Sequence, residues 1–179
     1  KGKKGITPIT DGAIKGVPKV KINGYTDEQC TFIQEQHKEL LKYARDNNGS
    51  KEAAFVFRKG LTGRTEHIGS DDSLDFGTAL LGKGSDIFIM HNHPRNSGFS
   101  TTDIECFVKN DAIKSLSIVR NNSGVSVLTK SQDFDLKRFK KEYNRLYAKI
   151  VKNGTDAEKS KFVQQLLAKT RAGVILDEK

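Results

Sequence analysis

Short apolar runs alternate with longer amphipathic segments along the chain. Four of these runs, each bounded by turn residues, predict strands of a buried sheet. They are residues 53–57, 87–90, 115–120 and 124–129. Residues 64–68 follow the glycine-containing turn 60–63 and are the expected hairpin partner of the first run. The apolar tail Ala172–Leu176 predicts a final strand.

Helices are predicted where capping residues precede apolar residues at helical spacing. Thr26 with Gln29, and Thr155 with Glu158, fit the capping box, in which two side chains satisfy backbone N–H groups of the first turn. The first of these helices extends to about residue 46, with Phe32 and Ile33 among the apolar residues near its core-facing side. His37 lies on it at no ligand spacing, so we expect an ordinary surface or boundary residue. Periodicity alone indicates further helices over residues 71–81, 101–110 and 139–150.

The order of these elements predicts an α/β fold, with a mixed sheet flanked by helices and a C-terminal helical hairpin. Residues 26–130 hold the predicted sheet and form the expected catalytic domain. Residues 1–25 are rich in Gly, Lys and Thr and are interpreted as an N-terminal arm or linker. Residues 131–179 are the expected basic helical extension, which packs on the domain.

Candidate chemistry is concentrated around the second strand. Alternate residues of a strand face one side, so His91 and His93 point one way while Asn92 points the other. Ser100 opens the following helix and brings Asp103 towards the same point. Two imidazoles and one carboxylate, with a fourth position for water, are typical of a catalytic zinc site. The alternative is that Ser100 and Asp103 only form a capping box beside a polar histidine loop.

This pattern resembles a known family. His91-Asn-His93-Pro94, followed by Ser100-x-x-Asp103, is similar to the JAMM signature of JAB/MPN metalloprotease-like domains, and most similar to their RadC-like branch. The resemblance covers about residues 50–130 and implies a cytidine-deaminase-like layout of sheet and helices. Six residues separate His93 from Ser100, one fewer than in the eukaryotic members, so the turn is tighter here.

The resemblance implies a function as well as a fold. His91, His93 and Asp103 would hold Zn²⁺, and Ser100 would stabilise the tetrahedral intermediate. A glutamate near an early strand would act as general base on the zinc-bound water, and Glu52 occupies that position, with Glu66 as the alternative. The implied activity is a JAMM-type metallopeptidase or isopeptidase with a peptide or protein substrate. The residues alone support only metal-assisted hydrolysis.

The chain as a whole resembles, more weakly, JAB-like domains attached to phage-head or mobile-element proteins. This implies an effector, toxin or processing domain that is bacterial or phage-encoded, located in the cytoplasm or delivered into a target cell. The only methionine, Met90, lies inside a predicted strand, so we expect the chain to belong to a larger or processed polypeptide. No apolar run approaches the length of a membrane span, so no membrane partner is expected.

The positive charge of the chain is also compatible with a second class of function, the binding of nucleic acid. The net charge is +9, which favours acidic partners such as nucleic acid. Basic residues fill one face of the predicted C-terminal helices, although such a face is more often simply solvated. They are Lys137, Arg138, Lys140, Lys141, Arg145, Lys149 and Lys152. The alternatives to a peptidase are therefore a metal-dependent, RadC-like factor that binds or hydrolyses nucleic acid, and an inactive MPN-like scaffold.

Overall fold

The computed structural model of the protein describes residues 5–69, 85–168 and 172–179. Within these residues the fold is mixed α/β, with five helices and one six-stranded sheet. The helices are α1 (Asp11–Lys15), α2 (Asp27–Asn48), α3 (Thr101–Lys109), α4 (Leu136–Ile150) and α5 (Asp156–Leu167). The strands are β1 (Ala53–Arg58), β2 (Thr62–Ile68), β3 (Ile87–His93), β4 (Ile113–Arg120), β5 (Val125–Lys130) and β6 (Val174–Glu178). The predicted helix over residues 71–81 lies outside the described residues.

The sheet has the strand order β2-β1-β3-β4-β5-β6. Neighbouring strands are antiparallel except β3 and β4, which are parallel and are joined through α3. All seven residues of β3 are buried, as expected for a strand covered on both faces of the sheet. The predicted strands are confirmed, and the last of them, β6, pairs with β5. The histidines lie at the C-terminal end of β3, an interior strand of the sheet.

One face of the sheet packs against α2 and the N-terminal arm. The capping box at Thr26 begins α2, and Gly49, with a φ of 58°, ends it in the left-handed conformation that glycine adopts without strain. Leu40 and Leu41 of α2 and Ile9 and Val17 of the arm are buried in this cluster. The arm therefore packs on the domain. All helices within the described ranges are too short or too polar to cross a membrane.

The opposite face of the sheet is covered by α3 and by the hairpin of α4 and α5. Phe107, Phe139 and Phe162 are fully buried there. The rings of Tyr143 and Tyr147 meet Phe162 edge-on, with centroids 4.8 Å and 5.2 Å away. These contacts fix the helical hairpin on the sheet, next to the helix that carries Asp103.

Two predictions on α2 are wrong. His37 is only 1% exposed instead of lying at the surface, because it shares the core-facing stripe with Ile33 and Leu40. Its Nε2 atom lies 2.7 Å from Ser117 Oγ of β4, which satisfies the buried ring. Phe32, predicted near the core-facing side, is 39% exposed and packs only edge-on against Phe57.

Candidate metal centre

The centre of the candidate site is a pair of buried imidazoles. His91 and His93 lie on the same face of β3 and are 0% and 7% exposed. Their Nε2 atoms are 2.9 Å apart. His93 Nδ1 lies 3.1 Å from both the main-chain oxygen and the Oγ atom of Ser97, in the turn after the strand. In the tautomer with the proton on Nδ1, the carbonyl oxygen accepts that proton and the Nε2 lone pair is free to bind a metal.

Asp103 reaches both imidazoles from the first turn of α3. Its Oδ1 lies 3.3 Å from His91 Nε2, and its Oδ2 lies 3.3 Å from His93 Nε2. The same carboxylate accepts the Ser100 N–H at 2.9 Å, while Ser100 Oγ accepts the Asp103 N–H at 3.0 Å. The capping box is therefore present, and it orients the carboxylate towards the histidines. The capping box and the approach of Asp103 to the histidines are thus compatible.

Glu52 brings a second carboxylate to the histidines. It stands immediately before β1, is 4% exposed, and places Oε1 3.9 Å from His91 Nε2. One possible ligand atom from each of Glu52, His91 and His93 lies within 4.8 Å of the others, so these three residues also have the spacing of a metal-binding group. The site thus offers two carboxylates near the imidazole pair.

Glu66, the alternative to Glu52, lies elsewhere. It is exposed on β2, where its Oε1 pairs with Arg64 Nη2 at 2.8 Å. The β1–β2 register sets Glu66 opposite Phe55 rather than beside the histidines. The structure brings Glu52, His91, His93, Ser100 and Asp103 together and leaves Glu66 outside this group.

Asn92 has a role that the sequence did not predict. It faces away from the histidines as expected, and it is fully buried. Its Oδ1 accepts the Ala53 N–H at 2.7 Å, and its Nδ2 donates to the Lys51 carbonyl at 3.1 Å. These two backbone groups flank Glu52 in the chain. The residue between the two histidines therefore holds the segment that presents Glu52 to them.

The electrostatics of the site favour positive charge between the carboxylates. Burial alone would lower the pKa of His91, but the charges of Asp103 and Glu52 outweigh it and raise that pKa. Burial would likewise raise the pKa of Asp103, but His91 and His93 hold it well below its usual range. Asp103 is therefore an anion in a nearly buried place, which requires a positive partner.

A cleft of about 1110 Å³ opens at this site. Glu52, His93 and Asp103 lie in its wall, and the turn 94–99 and helix α5 form much of the rest. Arg120 of β4 lines the same cleft. The cleft therefore gives access to His93 and to both carboxylates.

Comparison with known proteins identifies no relative: no family model, no curated protein and no solved structure matches the chain significantly. The likeness to JAB/MPN domains therefore rests on the residues of the site. The ones that carry it are His91, Asn92, His93, Pro94, Ser100 and Asp103.

Proposed function

We propose that this chain is a zinc-dependent hydrolase, a JAMM-type metallopeptidase or isopeptidase of the JAB/MPN kind. One observation carries the proposal. Two buried Nε2 atoms face each other at 2.9 Å, with Asp103 oxygens at 3.3 Å from each of them, and His93 and Asp103 lie in the wall of a cleft. Glu52 Oε1 lies 3.9 Å from His91 Nε2.

The donor set fits zinc. Zn²⁺ binds imidazole nitrogens and carboxylate oxygens and, in catalytic sites, takes three protein ligands. With its Nδ1 proton donated to the Ser97 carbonyl, His93 would present Nε2 to the metal, and such outer hydrogen bonds are typical of metal-binding histidines. We assign His91, His93 and Asp103 as the ligands. Glu52 is assigned the base because its carboxylate lies farther from the imidazoles than that of Asp103.

A zinc ion held here would supply Lewis acidity, which makes water more acidic and polarises a substrate carbonyl. Glu52 Oε1 then accepts the proton of the attacking water and delivers it to the leaving nitrogen. Ser100 Oγ already accepts the Asp103 N–H, so its own hydroxyl hydrogen can be donated to the carbonyl oxygen as negative charge develops. Asn92 keeps Glu52 in place during the proton transfer.

Metal analysis and peptide hydrolysis together test this proposal. Purified protein dialysed against limiting zinc should bind one equivalent, and the alanine variants of His91, His93 and Asp103 should lose it. His67→Ala is the matched control, because His67 is part-exposed on β2 and bonded to Thr65. Zinc-loaded protein should cleave peptides of a mixed library, with the cut sites read by mass spectrometry. Full zinc content in His91→Ala would overturn the ligand assignment, and zinc binding without any cleavage would favour a scaffold.

A second candidate function is nucleic-acid binding through α4. The helix buries Phe139 and Leu146 against the sheet and leaves a basic face in solvent. Its exposed basic residues are Lys137, Arg138, Lys140, Lys141, Arg145 and Lys149. Binding of labelled DNA or RNA that weakens steeply with added salt would support this function, because each phosphate contact releases counterions.

A further inference from the structure

Arg120 stands beside the metal centre on the neighbouring strand. The parallel register of β3 and β4 pairs His93 with Arg120, so their side chains leave the sheet on the same face. Arg120 lies in the cleft wall together with His93 and Asp103. A substrate that reaches the imidazoles through this cleft would therefore pass the Arg120 side chain.

The Arg120 guanidinium lies beside the turn that connects His93 to Ser100. A Cβ on Gly124 would lie 3.4 Å from Arg120 Nη1, and a Cβ on Gly98 would lie 4.0 Å from Nη2. Gly98 belongs to the turn between His93 and Ser100. The guanidinium therefore lies between the β4–β5 hairpin and the turn that leads to the proposed oxyanion donor.

Arg120 is a part-buried cation, and the hydrogen bonds described for it offset its positive charge only modestly. Its Nη1 donates to Ser126 Oγ at 3.1 Å, and the Ser126 hydroxyl in turn donates to Glu178 Oε2 at 2.9 Å. Glu178 thus acts on the guanidinium through a serine rather than as a direct bidentate partner. A guanidinium carries five donors in a planar fork that matches a carboxylate. Burial lowers the pKa of Arg120, which an incoming anion would counteract.

The charge of the cleft changes once the metal site is filled. A divalent ion would offset the charges of Glu52 and Asp103. The remaining charged residues of the lining are Arg95, Arg120, Lys159, Asp156 and Glu178. Three cations then face two anions, and one of those anions, Glu178, is already bonded to Ser126.

We propose that Arg120 is a specificity residue that binds a carboxylate of the peptide substrate beside the bond to be cleaved. The inference rests on the proposed hydrolase function and adds the substrate class, an acidic peptide. The carboxylate can come from an acidic side chain or from the free C-terminus of the substrate. Both would form the same two-pronged hydrogen bond with the guanidinium fork.

Four matched peptides distinguish the two sources. They share one cleavable sequence and carry Glu or Gln next to the cut site, each with a free or an amidated C-terminus. Wild-type protein should cleave the preferred carboxylate peptide with a kcat/KM at least about tenfold above its neutral analogue, as expected for a charge-assisted bond. Arg120→Gln should bring this ratio to about one, and Arg120→Lys should retain part of it.

Arg145→Gln is the control variant, since Arg145 is exposed on α4 and pairs with Glu142. It should leave the ratio unchanged. Equal cleavage of all four peptides by the wild type would overturn the role of Arg120 and leave the hydrolase standing. If Arg120→Gln fails to fold, Arg120→Lys is measured instead. A ratio lower than that of the wild type then supports the proposal, and an unchanged ratio overturns it.

A binding measurement separates this inference from the proposed function. Zinc-loaded wild type and Arg120→Gln are titrated with three compounds: N-acetylglutamate α-amide, which has only the side-chain carboxylate, N-acetylglutamine, which has only the C-terminal carboxylate, and the neutral N-acetylglutamine amide. Zinc content is checked in both proteins. Binding of either carboxylate compound in preference to the neutral amide, by the wild type alone, supports the anion site even if no peptide is cleaved, in which case only the hydrolase proposal fails. Equal binding by both proteins, or stronger binding of a phosphorylated peptide or oligonucleotide, overturns the assignment of a carboxylate.

Discussion

Asn92 and Asn121 are hydrogen-bonded to each other in the interior, with Asn92 Nδ2 donating to Asn121 Oδ1 at 2.9 Å. Both side chains are 0% exposed. Asn121 Nδ2 extends the network to the carbonyls of Ser50, at 2.9 Å, and Thr7, at 2.7 Å. The amide pair therefore joins the strand of the histidines to the segment before β1 and to the N-terminal arm. Through these contacts the backbone on both sides of Glu52 is held against the strand that carries His91.

The first prediction concerns Asn92→Ala. The substitution removes the hydrogen bonds that Asn92 makes to the Ala53 N–H, the Lys51 carbonyl and the Asn121 side chain. We expect a loss of about 3 kcal/mol in the free energy of unfolding, measured by urea denaturation, because each buried unpaired group costs about 1–3 kcal/mol. Asn122→Ala is the control, since Asn122 is exposed on the adjoining turn. It should change stability by less than about 0.5 kcal/mol.

The same variant distinguishes the positioning of Glu52 from the binding of zinc. Asn92→Ala keeps His91, His93 and Asp103, so the folded protein should still bind one equivalent of zinc. Turnover should fall, because Glu52 is no longer held. Loss of zinc with retention of the fold would mean that the amide pair supports the ligands rather than the base.

Glu52→Gln tests the assignment of the base directly. The amide keeps the shape of the side chain but cannot accept a proton, so peptide hydrolysis should fall by about 10²–10⁴-fold while zinc remains bound. Glu66→Gln, at the exposed partner of Arg64, should leave both quantities unchanged. If Glu52→Gln loses zinc instead, the metal is held by Glu52, His91 and His93, and Asp103 becomes a group that orients the histidines.

The elements of this fold could be predicted because their signals are local. Capping boxes at Thr26, Ser100 and Thr155 mark helix starts within four residues of sequence, and all three are formed. Strand alternation was sufficient to set His91 and His93 on one face. These predictions needed no knowledge of the strand order.

What the sequence did not predict depends on contacts between distant residues. The partner of His37 is Ser117, 80 positions later, and Asn92 binds Ala53, 39 positions earlier. Arg120 is brought next to His93 by the pairing of β3 with β4, which the sequence pattern did not predict. A polar residue inside an apolar stripe, such as His37 between Ile33 and Leu40, was the available sign that a buried partner exists.

Ser100→Ala separates the capping role of Ser100 from its catalytic role. Loss of the cap should cost about 1 kcal/mol of stability. Loss of the hydroxyl donor should lower kcat by about 10²–10³-fold if it stabilises the developing oxyanion. Thr26→Ala is the matched control, because Thr26 caps α2 in the same box on the opposite face of the sheet. It should cost similar stability without changing kcat, and equal activity in the two variants would confine Ser100 to capping.

The buried His37 should make the stability of the protein sensitive to acid. Burial, with a smaller contribution from His91, lowers the pKa of His37 to about 3, against 6.5 for an exposed histidine. Above pH 6.5 the ring is neutral in both the folded and the unfolded chain, so its contribution is constant. Between pH 6.5 and about 3 only the unfolded chain takes up the proton, so stability falls as the pH falls. The loss attributable to His37 is at most about 5 kcal/mol.

His37→Gln isolates this contribution, because glutamine does not titrate and its amide can replace Nε2 in the bond to Ser117 Oγ. With metal chelated, urea denaturation of the variant should show a flatter dependence on pH below 6.5, so that it gains stability relative to the wild type as the pH falls. His67→Gln should show a smaller change, since His67 is only part-buried on β2. Parallel stability curves for the wild type and His37→Gln would mean that the buried ring already carries a proton in the folded protein, and that Ser117 then accepts from a charged imidazolium.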